Sequence, residues 1–382
     1  MTRGAFTTTE TKADEPLDTV LQPILQQFGL PAVAAAVVKE GRIIASGAVG
    51  TRRHGTDRPV TINDPFHIGS NTATLTALLA ATFVEAEQLA WDSTPAEVFP
   101  ELAATMDAQL REVTLEQLLS HGSGIPGGDS YSNLVDQSFH ADTGDNLEEL
   151  RYGIVRQLVT MKPAAKPGTR FEPAIMGYVL VGAMLERIGG HTWEELLAER
   201  VFDPLGLRTA GFGPPASLGR VDAPLGHLAF DDRPPKPVLA GPHGDSPLVI
   251  GPAATVHMSV LDFAAWAGWT AGQGWRDPAL VSPDTMRRMQ TPVIEAHPGA
   301  DAPHDDRGAS GYGLGWSMTT MPFAPGQRFV AHFGSNTKNL ADIMLLPERD
   351  FAMVAMTNIS GQRAVAGMGD LVRVLYQQFG PR

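Results

Sequence analysis

Ser70 and Ala73, in the run Gly69-Ser70-Asn71-Thr72-Ala73, are where the chemistry of this chain starts and where it is interrupted. A serine hydroxyl at the head of a helix is an accessible nucleophile, but a weak one unless an adjacent base takes its proton. Positions i and i+3 share one helix face, so a lysine three residues on would supply that base. Ala73 carries no titratable group. The frame of a serine enzyme is present, and a central part of its machinery is not. His332 is a second residue able to move a proton, because an unperturbed imidazole titrates near neutrality. Lys338, just beyond it, reads as a solvated surface amine.

These residues need elements to hold them. Apolar spacing predicts an amphipathic helix over 17–29, with Leu21, Ile24, Leu25 and Phe28 on one face. Two apolar runs around Glu40-Gly41 predict a hairpin over 33–49. A helix opens at Gly69-Ser70 and runs to about Gln88, and further helices are expected from Thr114, from Gly177 and from Ser259, with a last one from Val365 to Phe379. Strand-like runs recur at Phe329, at Asp342 and at Phe351, separated by turn signals such as Pro347-Glu348-Arg349-Asp350. Residues 125–148 are rich in Gly, Asp, Ser and Asn and read as a long surface loop. Strands at both ends around a helical middle predict an α+β architecture: one antiparallel sheet built from both ends, flanked by helices, with an all-helical domain inserted. The expected division is a flexible tail over 1–16, a sheet domain from 17–68 and 290–382, and a mostly helical domain over 69–289 that carries the nucleophile.

Composition narrows the partners. A formal net charge of -13 argues against nucleic acid or an anionic membrane as the main partner. With no cysteine, disulfides, thiolate metal sites and a cysteine nucleophile are excluded. No apolar stretch approaches the roughly 20 residues of a membrane span, and residues 1–16 lack the apolar core of a secretory signal, so a cytoplasmic location is expected. His297, Asp301, His304, Asp305 and Asp306 lack regular ligand spacing, so neither a metal nor another cofactor is expected.

With these motifs placed, the chain resembles the serine β-lactamase and penicillin-recognising family, and most of all its class C-like esterases, D-peptidases and acyltransferases. The likeness rests on Asp64-Pro65-Phe66-His67-Ile68-Gly69-Ser70, Leu118-Leu119-Ser120-His121-Gly122-Ser123-Gly124, Pro167-Gly168-Thr169-Arg170-Phe171 with Gly177-Tyr178, Phe202-Asp203-Pro204-Leu205-Gly206-Leu207, Tyr312-Gly313-Leu314-Gly315-Trp316 and His332-Phe333-Gly334-Ser335-Asn336-Thr337. Each piece alone is weak, but the six fall in the family's order and span nearly the whole chain. The resemblance implies a β-lactamase/transpeptidase-like fold with its site in the cleft between sheet and helical domain.

It also implies three catalytic sets. Ser-x-x-Lys survives only as Ser70, with Ala73 in the lysine's place. The Tyr-x-Asn positions fall on Pro173, Ala174 and Ile175, none of which can transfer a proton or make a side-chain hydrogen bond. The Lys-Thr-Gly or His-x-Gly set is kept as His332-Phe333-Gly334, and the family's two oxyanion donors would be the backbone N–H groups of Ser70 and Ser335. Tyr131-Ser132-Asn133 spells Tyr-x-Asn literally, about 40 residues too early, inside the long loop. The expected ligand-facing residues are thus Ser70, Ala73, Tyr131, Pro173, Ile175, Trp316, His332, Gly334 and Ser335, around a small substrate with an apolar portion.

Three functions remain open: a serine hydrolase or acyltransferase acting on an ester or amide with crippled or altered catalysis, a non-hydrolytic enzyme (cyclase, lyase or isomerase) using the apolar cleft, or a non-catalytic binding protein.

Overall fold

The structure, a computed structural model, describes residues 15–127, 134, 146–241, 244–296 and 311–381. Its strands in chain order are β1 Glu15–Pro16, β2 Ala32–Lys39, β3 Arg42–Gly50, β4 Pro65–His67, β5 Gly211–Phe212, β6 His227–Leu228, β7 Lys236–Pro237, β8 Val256–Ser259, β9 Gly311–Tyr312, β10 Ser317–Thr320, β11 Arg328–Ser335, β12 Leu340–Leu346 and β13 Phe351–Thr357. The main sheet has the order β1-β3-β2-β13-β12-β11-β10-β9, antiparallel throughout except for the β1–β3 pair. Its two halves, from opposite ends of the chain, join where β2 pairs with β13, Val33 opposite Thr357 and Lys39 opposite Phe351. The predicted hairpin is β2–β3, and its turn residues Glu40 and Gly41 both have positive φ, 51° and 72°, which suits the twist of a tight hairpin.

Strand β2 is apolar along nearly its whole length because both of its faces are covered. Val33, Ala35 and Val37 join the core that includes residues of α1 (Asp18–Phe28) and the last helix (Gln362–Phe379). Ala34, Ala36 and Val38 join the larger core on the opposite face, with residues of the helix Val260–Ala271. Gly268 in that helix makes the approach possible: a Cβ there would lie 2.7 Å from Val38 Cγ1.

The helix α2 (Thr72–Glu85) is buried almost all round, so it is a central strut rather than an amphipathic surface helix. Its hydroxyls are satisfied on carbonyls: Thr72 donates to Gly69 O, Thr74 to Asn71 O and Thr76 to Pro252 O. Around it stand α3 (Leu147–Leu158) and α4 (Ile175–Gly189). The wholly buried Arg151 guanidinium ties these together, pairing with Glu186, donating to Glu194 at 2.9 Å and to the Val249 carbonyl at 3.0 Å. Among the described residues no helix is long and apolar enough to cross a membrane.

Some expectations change. Residues 15–16, assigned to a tail, form β1 and pair with Ala45 and Ser46; residues 1–14 lie outside the described residues. Ser70 does not open a regular α-helix but sits in a single 3-10 turn, Gly69–Asn71, that feeds α2. The helix expected from Gly177 begins earlier, at Ile175. Most of the predicted loop, with Tyr131, and the segment holding His297, Asp301, His304, Asp305 and Asp306 lie outside the described residues.

Candidate active site

The turn that carries Ser70 is pressed against the end of β11 at backbone distance. Gly69 has φ +55°, and a Cβ there would lie 2.5 Å from Ser335 N. A Cβ on Gly334 would lie 2.0 Å from Ile68 O and 2.7 Å from Asn71 N. Only glycine fits at either position. Nearly every polar group around the serine is spent on holding this geometry. Asn71 Nδ2 donates to Ile68 O at 2.9 Å and to Ala341 O on β12 at 3.0 Å. His67 Nδ1 accepts the Gly69 N–H at 2.9 Å, and Thr72 Oγ1 accepts the Val256 N–H at 3.1 Å. Ser70 itself is partly exposed, caps neither the turn nor α2, and among the described residues its hydroxyl has no hydrogen-bond partner. The serine is the polar group this neighbourhood leaves available.

Ala73 is 4 % exposed and packed under the segment after β9: a Cβ on Gly315 would lie 3.2 Å from Ala73 O and 2.8 Å from Ala77 Cβ. The Leu119 carbonyl beside it accepts the Gly315 N–H at 3.2 Å and the Tyr178 hydroxyl at 2.7 Å. The Pro173 carbonyl is packed against Gly127, where a Cβ would lie 2.1 Å from it. The next N–H, of Ala174, donates to His121 Nδ1 at 3.2 Å. Ile175 opens α4 and is 49 % exposed, unusual for a large apolar side chain at a helix start in this otherwise well-packed region.

The surroundings of these apolar residues are more polar than their own side chains. The His121 ring stands against Tyr178, Tyr312 and Phe171, with centroids 5.2, 5.1 and 5.7 Å away. Burial first, and the nearby His332 second, push the His121 imidazole down to about 3, so it is neutral at pH 7 and able to accept the Ala174 N–H. Tyr312 Oη and His332 Nε2 are 3.1 Å apart, and the Tyr178 phenol lies close enough to Tyr312 for the two to influence each other. Burial raises both phenols, so both remain protonated at neutral pH. The Tyr178 proton is given to Leu119 O. Between Tyr312 and His332 either group can be the donor, and the choice depends on the His332 tautomer. Two hydrogen bonds, Tyr178 to Leu119 O and Tyr312 with His332, thus place polar groups between the Leu119 carbonyl and β11.

The structure brings Ser70, Gly334 and Ser335 together, and links His332 through Tyr312 and His121 to the Pro173–Ala174 segment. It does not place Trp316 at the cleft: that indole is 0 % exposed and stacked on Trp266 at 6.3 Å, a core residue. Ser335 Oγ accepts the Thr337 N–H and meets Ser360 Oγ, both at 3.0 Å. A groove of about 920 Å³ lined by Val84, Trp91, Glu116 and Arg288 lies at the far end of α2 and contains none of these residues. Sequence reasoning missed Tyr312, Tyr178 and His121 as polar neighbours of the site, although all three stand within the family-like motifs. Asp245, which approaches His67 from a Gly- and Pro-rich stretch, gave no sequence signal at all.

The family model described as "Beta-lactamase" matches residues 17–377. The chain belongs to the beta-lactamase family. Among its relatives, penicillin-binding protein 4 of Amycolatopsis lactamdurans is 28% identical over 354 residues, covering 91% of this chain and 85% of that protein. Protein flp of Staphylococcus aureus is 20% identical over 350 residues, covering 92% of this chain and 64% of that protein. The fold is shared with an octameric penicillin-binding protein homologue from Pyrococcus abyssi, with a TM-score of 0.76, 23% identity and coverage of 96% and 77% of the two chains. It is also shared with EstCE1, described as a hydrolase with promiscuous acyltransferase activity, with a TM-score of 0.70, 19% identity and coverage of 94% and 98%. An antiparallel sheet flanked by helices, with the beta-lactamase and transpeptidase topology, is thus the fold of this chain.

Proposed function

We propose that this protein is a serine hydrolase or acyltransferase of the beta-lactamase family, acting on an ester or amide, in which proton transfer no longer runs through lysine and tyrosine and turnover is slow. One observation carries the reading: the backbone contact between Gly69 and Ser335 keeps an oxyanion site beside a serine hydroxyl that nothing described engages. Side-chain loss at Ala73, Pro173 and Ile175 does not touch that backbone. The penicillin-binding, esterase and acyltransferase relatives support the substrate class.

In this scheme Ser70 Oγ attacks the carbonyl carbon, and the negative charge on the carbonyl oxygen is met by the Ser70 and Ser335 N–H groups. The Ser70 proton passes to His332 Nε2 while the Tyr312 hydroxyl proton points away from that nitrogen. The same proton then goes to the leaving alcohol or amine as the acyl-serine forms. Water, or a second alcohol, attacks the acyl-serine and completes the cycle. Losing well-placed acid–base help costs on the order of 10²–10⁴ in rate. Intact mass after incubation with a fluorophosphonate or with benzylpenicillin tests this. A slow adduct that maps to Ser70 and is lost in Ser70→Ala supports it. Tight ligand binding with no adduct over days would replace it with the second reading, a cyclase, lyase or isomerase that uses Tyr312 and His332 for proton movement without a covalent step. The polar set of Tyr178, Tyr312 and His332 is what favours that alternative.

A further inference from the structure

Between β7 and β8 the chain sends one carboxylate, Asp245, into the core next to the serine turn. Asp245 Oδ2 is 2.9 Å from His67 Nε2, and both side chains are almost fully buried. The two atoms do not meet hydrogen-bond geometry, so what joins them is the attraction of the carboxylate for the imidazole N–H dipole. Asp245 Oδ1 accepts the Asn336 side-chain N–H at 2.7 Å and the Ser246 N–H at 2.7 Å. Asn336 Oδ1 in turn accepts the N–H groups of Lys338 and Asn339, at 3.2 and 2.8 Å. On the other side, His67 Nδ1 accepts the Gly69 N–H. That contact requires the His67 proton on Nε2, which is the tautomer a carboxylate beside Nε2 selects.

The two ends of this bridge are telling. His67 holds the N–H of Gly69, the residue immediately before Ser70, and Asn336 is the residue immediately after Ser335. We propose that Asp245 is a positioning residue that sets the spacing of the two oxyanion N–H groups, by clasping the Ser70 turn, through His67, to the end of β11, through Asn336. The inference rests on the proposed role of Ser70. The clasp is independent of the lysine and Tyr-x-Asn positions, so it survives their replacement. It also gives the Gly- and Pro-rich stretch around Asp245 a part in the site.

Asp245→Asn is the discriminating change. Asp245 presents an oxygen to each arm, Oδ1 accepting from Asn336 and Oδ2 lying 2.9 Å from His67 Nε2, while asparagine has one oxygen, so one of the two arms turns into a donor facing a donor. Two measurements separate this proposal from the nucleophile reading. The first is Ser70 labelling by a fluorophosphonate, resolved into kinact and KI. The expected result is a fall in kinact of about 10- to 100-fold, the cost of a misplacement near 1 Å, with KI within threefold. The second is amide hydrogen exchange at Gly69, which needs no chemistry at Ser70, and is expected to quicken at least about tenfold when one hydrogen bond loses its fixed acceptor. Asn336→Ala, which opens the clasp from the strand side, should repeat the kinact effect if Asp245→Asn fails to fold. Unchanged kinact with unchanged Gly69 exchange overturns the proposal. Fast exchange in a parent chain whose Ser70 is never labelled overturns the serine reading instead.

Discussion

Replacing Tyr312 by phenylalanine removes one oxygen from beside His332 and leaves the ring in place. The 3.1 Å contact to His332 Nε2 goes with it. Tyr178 keeps its bond to the Leu119 carbonyl at 2.7 Å, so its buried hydroxyl is still satisfied. His332 is the group left with an altered partner, and one buried polar group losing its partner costs about 1–3 kcal/mol. The ring contacts of Tyr312 with His121 and Phe171, at centroid distances of 5.1 and 5.2 Å, are retained. Stability should therefore fall by about 1–3 kcal/mol, and the fold should survive. The chemical consequence should be larger. If Tyr312 orients the His332 ring that receives the Ser70 proton, the rate of Ser70 acylation should drop by about 10²-fold or more. The assay is the pre-steady-state rate of acylation by p-nitrophenyl acetate at several pH values, alongside urea unfolding. Loss of stability with an acylation rate within threefold of the parent would refute the assignment and reduce Tyr312 to a packing residue.

Restoring the family residues gives a second test: Ala73→Lys alone should recover little esterase activity, since an amine placed at a 4 % exposed position loses hydration and has no tyrosine or asparagine partner. Ala73→Lys, Pro173→Tyr and Ile175→Asn together should raise Ser70-dependent kcat/KM on a short-chain ester well above the single change, and equal values for both would show that the second motif is misplaced. Gly334→Ala should abolish Ser70 labelling and lower the thermal midpoint, because its Cβ would sit 2.0 Å from the Ile68 carbonyl; a labelled, stable variant would contradict the backbone contact. His227 should make stability pH-dependent. Its Nε2 accepts the His54 N–H, its Nδ1 lies 2.9 Å from the Asn358 carbonyl, and burial lowers it to about 4. Between that value and the unfolded value near 6.5 the unfolded chain binds the extra proton. Its contribution is therefore complete above about pH 6.5 and is lost as pH falls to about 4, about 3 kcal/mol in all. In urea unfolding, His227→Gln should flatten the pH dependence in that window, and an unchanged slope would dismiss the assignment.

How much of this was legible in the sequence depended on whether a feature was local. The hairpin of β2 and β3, the helices and the strands near the end follow from apolar spacing and turn residues, which act over a few positions. The serine turn and Gly334 were legible because their motif residues stand in a known order. The Tyr312–His332 contact was not, because two residues 3.1 Å apart on strands that flank β10 carry no mark of it in their own segments. Trp316 was read as a cleft aromatic, yet burial claims large indoles more often than binding does, and here it stacks on Trp266. Asp245 lay beyond reach for a plainer reason. Nothing periodic surrounds it, and its partners His67 and Asn336 come from opposite ends of the chain.

The pairing of β2 with β13 has a consequence for how this molecule comes into being. On the ribosome, β2 and β3 emerge early and can close on each other at once. The outer edge of β2, running Ala32-Val33-Ala34-Ala35-Ala36-Val37-Val38, has to wait for Phe351–Thr357. Throughout that interval an uncharged, wholly apolar strand edge stands open in the cell, the kind of template on which neighbouring chains assemble. Yield of this protein should therefore hinge less on the finished fold than on what shields one strand while the rest is still being made.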